Sequence, residues 1–298
     1  MQERRGAHSA LGPGEHHFTL QHQGRARDYL VHVPPGIRAD KPARVVVALH
    51  GGGGSMDFMA KDQYYGLITK SDEAGFIVVF PNGYSRLPGG KFATWNAGAC
   101  CGDARDRNID DVGFLKAVVH DLKGRLPIDQ SGVFATGMSN GGLMAYRLAC
   151  EASDVFAAIA SVAGTDNTLA CQPVRPVPIL HIHAQDDTHV LFHGGAGADS
   201  FRDVSKVTEF TSVPDTIKKW VAHNQCQGAP ARVWQGSGAY CEQYQDCAGG
   251  AVVKLCVTES GGHSWPGGRK WDGQPTSAAL SATEQIWDFF SQVKTAGR

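Results

Sequence analysis

Short apolar runs alternate with segments of helical spacing along most of this sequence. The runs that we interpret as strands are 28–36, 43–54, 75–83, 131–137, 156–164, 176–184 and 251–260. Spacing typical of helices is found at 58–73, 108–126, 141–152, 212–225 and 281–293. Because apolar strands interleaved with helices favour a parallel arrangement, the pattern predicts an α/β fold. We expect a mostly parallel central sheet with helices on both faces.

Composition narrows the class of protein. The 298 residues are 42% hydrophobic, enough for a large core, and the formal net charge is -1. This balance gives no sign of a nucleic-acid partner. No apolar run approaches the roughly 20 residues of a membrane helix, so no membrane partner is expected.

The eight cysteines favour disulfide bonds over zinc, because no C-x-x-C pair occurs. Disulfides indicate an oxidising compartment, so we expect a secreted protein, extracellular or periplasmic. The first residues contain no apolar segment typical of a signal peptide, which we therefore expect to be absent from this chain. Spacing alone does not fix the connectivity. The expected pairs are Cys150–Cys171, Cys226–Cys256 and Cys241–Cys247, with a bond between neighbours at Cys100–Cys101.

The stretch 137–141, Gly-Met-Ser-Asn-Gly, has the pattern G-x-S-x-G between a predicted strand and a predicted helix. Such a turn holds its serine in a strained conformation and exposes the hydroxyl at a helix N-terminus. Side chains at Gly137 and Gly141 would collide with neighbouring strands. We therefore interpret Ser139 as a nucleophile rather than as an idle residue of a glycine-rich turn.

A serine hydroxyl needs a base, and the base needs an acid that orients it. Asp186 and Asp187 follow one predicted strand, and His263 follows a later one. The order Ser, Asp, His is that of α/β hydrolases. We choose Asp187 as the acid, with Asp186 left as the alternative.

Other histidines receive structural interpretations. His181 and His183 alternate along a strand, so we expect buried structural residues rather than metal ligands. His189 and His193 follow the acid and could line the site, but we favour solvent-facing positions in the loop.

The glycine-rich stretch 49–55 follows an early strand, where the oxyanion loop of this fold belongs. We expect the backbone N–H groups of Gly52 and Asn140 to bind the oxyanion, with Gly53 in reserve for Gly52. A phosphate loop is not supported, because the stretch lacks the lysine and spacing of that motif.

Seven motifs occur in one order along the chain: LHGGGGS, PNGY, WNAGACCG, DDVGFL, GMSNGG, HAQDD and GGHSWPGG. In these the chain resembles the secreted polyhydroxybutyrate depolymerase and feruloyl esterase family of α/β hydrolases. The resemblance implies a catalytic triad of Ser139, Asp187 and His263, with Gly52 and Asn140 as the oxyanion hole. It implies no cofactor and no metal. We expect an N-terminal extension over 1–25 and a single α/β-hydrolase catalytic domain over 26–298.

Aromatic and polar residues beside the motifs suggest a substrate pocket. Trp95, Asn96 and Trp265 are predicted to bind substrate, because tryptophan rings stack on aromatic rings or polyester chains. For Asp110 and Asp111 we expect helix capping rather than contact with substrate.

These features predict a secreted serine carboxylesterase that acts through an acyl-enzyme. The expected partners are small-molecule or polymeric esters, either feruloyl-type phenolic esters or polyhydroxyalkanoate and polyester oligomers, and a monomer is expected. The alternatives are an acetyl-xylan or tannin-type esterase and, from another class, a non-catalytic polymer-binding protein that retains the fold.

Overall fold

A computed structural model describes residues 11–38, 40–200 and 208–293. Ten strands within these residues form one sheet. They are β1 (Gly14–His22), β2 (Arg25–Val33), β3 (Ala43–Leu49), β4 (Ile77–Pro81), β5 (Ile128–Met138), β6 (Ala158–Val162), β7 (Ile179–Ala184), β8 (Ala231–Gly236), β9 (Ala239–Tyr244) and β10 (Val253–Thr258). The fold is that of an α/β hydrolase, as predicted.

The strand order across the sheet is β1-β2-β4-β3-β5-β6-β7-β10-β9-β8. The six strands from β4 to β10 are parallel, and an antiparallel pair flanks them on each side. The carboxyl ends of the parallel strands therefore meet at one edge, where this class of sheet binds its ligands.

Eight α-helices cover the sheet within the described residues. They are α1 (Met56–Met59), α2 (Asp62–Tyr65), α3 (Leu67–Ala74), α4 (Gly102–Asp106), α5 (Asp111–Arg125), α6 (Asn140–Glu151), α7 (Val213–His223) and α8 (Ala282–Gln292). The side chains of β3 are buried on both faces of the sheet, so a layer of helices is needed on each face. Val45 and Val47 join the core formed with α5, α6 and α7, whereas Val46 and Ala48 join the core formed with α1, α2, α3 and α8.

Three segments differ from the prediction. Residues 14–22, which fall within the expected 1–25 extension, form β1 and pair with β2 along the full length of that strand. Residues 1–10 lie outside the described residues. The hairpin of β8 and β9 was not predicted, because polar residues interrupt the apolar ones in both strands and only Ala239 and Cys241 are buried. The helix predicted over 58–73 is three short helices, since Gly66 adopts φ +65° between the second and third.

Four disulfide bonds form, and two expected pairings are wrong. Cys150–Cys171 and Cys100–Cys101 are as expected. The other bonds are Cys226–Cys247 and Cys241–Cys256. Cys241 and Cys256 stand directly opposite each other on β9 and β10, a register that requires the strand missed in the sequence.

Across the described ranges, no helix combines the length and apolar character that a membrane crossing would require.

Candidate active site

Ser139 lies between the end of β5 and the start of α6, at a backbone conformation of φ 56° and ψ −123°. A positive φ is uncommon outside glycine, so neighbouring structure must hold this residue in place. Its N–H donates to the carbonyl of Val162 at 2.8 Å, and its carbonyl accepts from the N–H of Leu143 at 2.9 Å. The strand–turn–helix setting predicted from G-x-S-x-G is confirmed.

The two glycines around Ser139 are required by close backbone contacts. A Cβ at Gly137 would lie 2.5 Å from the backbone of Gly141 and 2.8 Å from the carbonyl oxygen of Leu49. A Cβ at Gly141 would lie 2.6 Å from the carbonyl oxygen of His50. The elbow therefore packs directly on the end of β3, which brings Ser139 next to the glycine-rich loop.

The two aspartates differ in their hydrogen-bond partners. Asp187 follows β7, and its Oδ2 accepts from Nδ1 of His263 at 2.9 Å. Asp186 is exposed, and its carboxylate accepts from the N–H groups of Gly261 and Gly262. Asp187 therefore contacts the histidine ring, and Asp186 holds the loop that carries it.

Asp187 is buried and held on both oxygens. Its Oδ1 accepts from the N–H groups of His189 and Val190 at 2.8 and 3.0 Å. Its Oδ2 accepts from His263 and lies 3.3 Å from Nε2 of His183. Burial by itself would raise the pKa of Asp187, but the contacts with His183 and His263 outweigh burial and hold this pKa well below its usual range. The carboxylate is therefore ionised.

The Asp187 contact fixes the tautomer of His263, because a carboxylate only accepts. A neutral ring that carries its proton on Nδ1 has a lone pair on Nε2. Ser139, Asp187 and His263 follow the carboxyl ends of β5, β7 and β10, so all three lie at one edge of the sheet. A neutral His263 at this edge has the proton arrangement of a general base.

The glycine-rich loop lies against Ser139 and Asn140. A Cβ built on Gly51 would lie 3.6 Å from Cβ of Ser139, and one on Gly52 would lie 3.5 Å from Cβ of Asn140. The N–H of Gly53 donates to the carbonyl of Ala93, so Gly53 does not serve as the reserve donor. Among the described residues, no hydrogen bond engages the N–H of Gly52. Asn140 begins α6, and its N–H is one of the amides that have no partner within a helix.

His50 supports this loop, a role that sequence reasoning missed. Its Nε2 accepts from the N–H of Gly83 at 2.9 Å, so its Nδ1 carries the proton and donates to the carbonyl of Gly51 at 2.8 Å. Complete burial lowers the pKa of His50 to about 4, so the ring is neutral. The sequence signal was present, since His50 directly precedes the four glycines.

The prediction that Trp95 and Asn96 bind substrate is corrected by their burial at 0% and 3% exposed. The indole N–H of Trp95 donates to the carbonyl of His50. The side chain of Asn140 bonds both the N–H and the carbonyl of Trp95 at 2.7 and 3.0 Å. The Asn96 side-chain amide donates to the carbonyl of Ile109. Trp95 therefore supports the loop around His50 and the position of Asn140 rather than binding substrate.

The same correction applies to Trp265, which is 2% exposed. Its indole N–H donates to Thr283, and its ring packs edge-on against Tyr65 with centroids 5.4 Å apart.

The expectation for Asp110 is confirmed, because its carboxylate accepts from the N–H of Gly113 and caps α5. Asp111 is buried and pairs with Arg27 at 2.7 Å, so it does not face a substrate.

His189 is half-buried beside His263, which is the less favoured of its two expected positions. Its ring stacks on that of His263, with centroids 4.5 Å apart and an angle of 14° between the planes. Burial, and then the neighbouring His263, lower the pKa of His189. Asp187, His189 and His263 are close enough to share a metal ion. Stacked rings, however, direct their lone pairs in parallel rather than to one point, and Asp187 is already hydrogen-bonded on both oxygens.

A mostly parallel sheet with a serine elbow and an Asp–His pair at its carboxyl edge defines the class of α/β hydrolases. The chain belongs to the esterase family within this class, since residues 21–274 match the family described as "Putative esterase". It is therefore a carboxylic ester hydrolase.

Relatives agree with this assignment. The chain is 31% identical over 252 residues to feruloyl esterase B of Piromyces equi, covering 83% of this chain but only 44% of that relative's length. It is 28% identical over 274 residues to a protein named "Probable feruloyl esterase C" from Aspergillus niger, covering 90% of this chain and 85% of the relative.

Solved structures agree on the fold. The acetyl xylan esterase from Aspergillus awamori superposes with a TM-score of 0.60 at 16% identity, covering 89% of this chain and 94% of that one. The ferulic acid esterase from Anaeromyces mucronatus gives a TM-score of 0.55 at 14% identity, covering 98% and 93% of the two chains. At such identities the likeness shows the fold alone.

Proposed function

We propose that this esterase is a serine carboxylesterase with Ser139 as nucleophile, His263 as general base and Asp187 as the orienting acid. The observation that carries the proposal is the 2.9 Å contact between Asp187 and Nδ1 of His263, at the sheet edge that also bears the strained Ser139. The remaining ring nitrogen of His263 is then the base for the hydroxyl.

In the first half of the reaction, Oγ of Ser139 attacks the ester carbonyl carbon, and its proton passes to Nε2 of His263. The carbonyl oxygen becomes an oxyanion that accepts from the N–H groups of Gly52 and Asn140. As the tetrahedral intermediate collapses, the bond between the acyl carbon and the alcohol oxygen breaks, and His263 donates its proton to that departing oxygen.

In the second half, water replaces the alcohol. His263 takes a proton from the water, whose oxygen attacks the acyl carbon, and the same two N–H groups bind the oxyanion. Collapse breaks the bond between the acyl carbon and Oγ of Ser139, His263 returns its proton to that Oγ, and the acid is released. Asp187 stays ionised throughout and stabilises the imidazolium.

For the substrate class we propose feruloyl-type phenolic esters. The support is the names of two relatives, feruloyl esterase B of Piromyces equi and "Probable feruloyl esterase C" of Aspergillus niger. The four disulfide bonds support secretion into an oxidising environment. We propose that the enzyme acts as a monomer.

Labelling with a fluorophosphonate probe tests the chemistry. The wild type should be labelled, and Ser139→Ala should not. Ser131→Ala is the matched control, because Ser131 lies near the other end of β5 and should leave labelling intact. An unlabelled wild type that still binds polymer would favour the non-catalytic binding protein.

A substrate panel tests the specificity. Methyl ferulate, p-nitrophenyl acetate, acetylated xylan and polyhydroxybutyrate film should be compared by kcat/KM or by acid released. The proposal expects methyl ferulate to be turned over most efficiently. Preference for acetylated xylan would replace it with an acetyl-xylan esterase, and preference for the film with a depolymerase.

A further inference from the structure

Two histidines of β7 continue the hydrogen bonding of the site into the interior. His181 and His183 are 0% and 1% exposed, and their rings are parallel within 4°. Nε2 of His181 lies 3.1 Å from Nδ1 of His183, and the hydroxyl of Tyr146 lies 2.8 Å from Nδ1 of His181. Nε2 of His183 lies 2.8 Å from the carbonyl oxygen of Val190. We call Tyr146, His181 and His183 the Tyr–His–His array.

The proton positions in this array follow from its last acceptor. The carbonyl of Val190 only accepts, so Nε2 of His183 carries a proton and, in a neutral ring, Nδ1 accepts. His181 must then donate from Nε2 and accept at Nδ1, which requires the hydroxyl of Tyr146 to donate. All hydrogen bonds therefore run in one direction, from α6 toward Asp187.

A charged ring would break this order, because an imidazolium donates from both nitrogens. Burial, and then the neighbouring His183, lower the pKa of His181 well below its usual value. Burial, and then Asp166, raise the pKa of Tyr146 well above its usual value, so the phenol keeps its proton. With all three groups neutral, the array has one arrangement of protons in which every hydrogen bond is made.

The array ends on the turn that carries Asp187. Val190 accepts from His183 through its carbonyl and donates through its N–H to Oδ1 of Asp187. His183 also lies 3.3 Å from Oδ2, the oxygen that accepts from His263. One ring thus contacts both the carboxylate and the backbone that holds it.

We infer that the Tyr–His–His array is a set of positioning residues that fixes the rotation and ionisation of Asp187. The inference rests on the proposed function, since it assigns Asp187 as the acid. It extends that function by three side chains that touch neither substrate nor the reacting atoms.

The surroundings of the array contain other groups that titrate or carry charge. Among the described residues these are Asp187, His189 and His263 at one end, and Asp166, Lys219 and His223 at the other. Asp166 and Lys219 pair at 2.9 Å, which leaves Asp187 as the carboxylate that His183 contacts.

The principal test is His183→Phe, which keeps a ring but removes the donor. We expect kcat on the best ester of the panel to fall about 10- to 100-fold, the range for losing a hydrogen bond to a charged group, with KM unchanged. The acid limb of the kcat–pH profile should move to higher pH, because a carboxylate that loses a donor keeps more negative charge on the oxygen that accepts from His263 and so stabilises the imidazolium more strongly. His183→Gln, whose amide N–H replaces Nε2–H, should restore much of kcat and the wild-type limb.

The matched control is Ile182→Ala, which lies between the two histidines but packs in the opposite layer. It should lower the melting temperature without changing the pH profile. An unchanged pH profile in His183→Phe would overturn the inference and leave the histidines as packing.

If His183→Phe does not fold, Tyr146→Phe provides the decision. It removes only the first donor, so kcat should fall less, with the limb moved in the same direction. A wild-type profile in Tyr146→Phe would overturn the inference. A wild type that is not labelled by the fluorophosphonate probe would instead refute the proposed function. Failure of the inference and failure of the proposed function therefore give different results.

Discussion

The two parts of the site around Ser139 use different chemical groups, backbone amides in one and side chains in the other. On the side proposed to bind the oxyanion, which we call the oxyanion side, Gly52 and Asn140 present backbone N–H groups, which do not titrate. On the acid side, Asp187 and His263 contribute side chains whose function depends on where protons sit. Shape is therefore the critical property on the oxyanion side, and the position of protons is the critical property on the acid side. Changes that keep shape but move a proton should therefore be most harmful on the acid side.

The largest effect is expected for Asp187→Asn. The substitution keeps the shape but removes the charge and brings in an N–H, which would favour the wrong tautomer of His263. We expect kcat to fall by roughly 10⁴-fold, the size of the equivalent change in a serine protease. Steady-state kinetics on the best ester of the panel measures it.

Asp186→Asn is the control for that experiment. It keeps an oxygen that accepts from Gly262 in an exposed position, so it should retain far more activity. A greater loss in Asp186→Asn than in Asp187→Asn would reverse the assignment of the acid.

The next effect concerns stability on the oxyanion side, where His50 is the titratable exception. Its pKa is about 4 in the folded protein, against about 6.5 when unfolded. Between these values the unfolded state binds more protons, so stability is complete above pH 6.5 and is lost as pH falls toward 4. The contribution of His50 to this loss is about 3 kcal/mol between about pH 7.5 and pH 4.

Urea unfolding at both pH values, for wild type and His50→Gln, measures that contribution. The variant should be less stable at neutral pH, because Gly51 and Gly83 lose well-placed partners. Its stability should nevertheless depend less on pH. Equal pH dependence in the two proteins would contradict the burial argument.

Much of this site could be predicted from sequence, because the elbow and the glycine loop are local. Gly137, Ser139 and Gly141 lie within five residues, and their requirement is steric. The apolar strands likewise predicted the sheet, since strands buried on both faces are apolar throughout.

The features that the sequence did not predict depend on contacts with residues distant in sequence. The sequence suggests that Trp95 is a stacking surface for substrate. In the structure, hydrogen bonds to Asn140 and His50 hold Trp95 in the interior instead. Cys241 pairs with Cys256 only because β9, a partly polar strand, lies beside β10. His189 stacks on a ring that lies 74 positions further along the chain, a contact with no local signal.

A smaller effect is expected for Asn140→Ala, which acts on the oxyanion side through shape. The substitution keeps the backbone N–H but removes the two hydrogen bonds to Trp95. The loop that supports Gly53 through Ala93 should loosen, and kcat/KM should fall by about 30-fold. Asn140→Asp retains the acceptor for the N–H of Trp95 and should lie between wild type and Asn140→Ala. Activity equal to wild type in both variants would separate the Trp95 loop from the oxyanion site.

The smallest effect distinguishes neighbouring glycines of the same loop. Gly53 has φ +76°, a conformation that costs an L-residue about 1–2 kcal/mol, whereas a Cβ on Gly52 would meet Asn140 only at an ordinary 3.5 Å. Gly53→Ala should therefore lower the melting temperature by a few degrees, and Gly52→Ala should leave it near that of the wild type. Differential scanning calorimetry of the two variants measures this difference. The reverse order would mean that crowding, rather than backbone conformation, explains the glycines of the oxyanion loop.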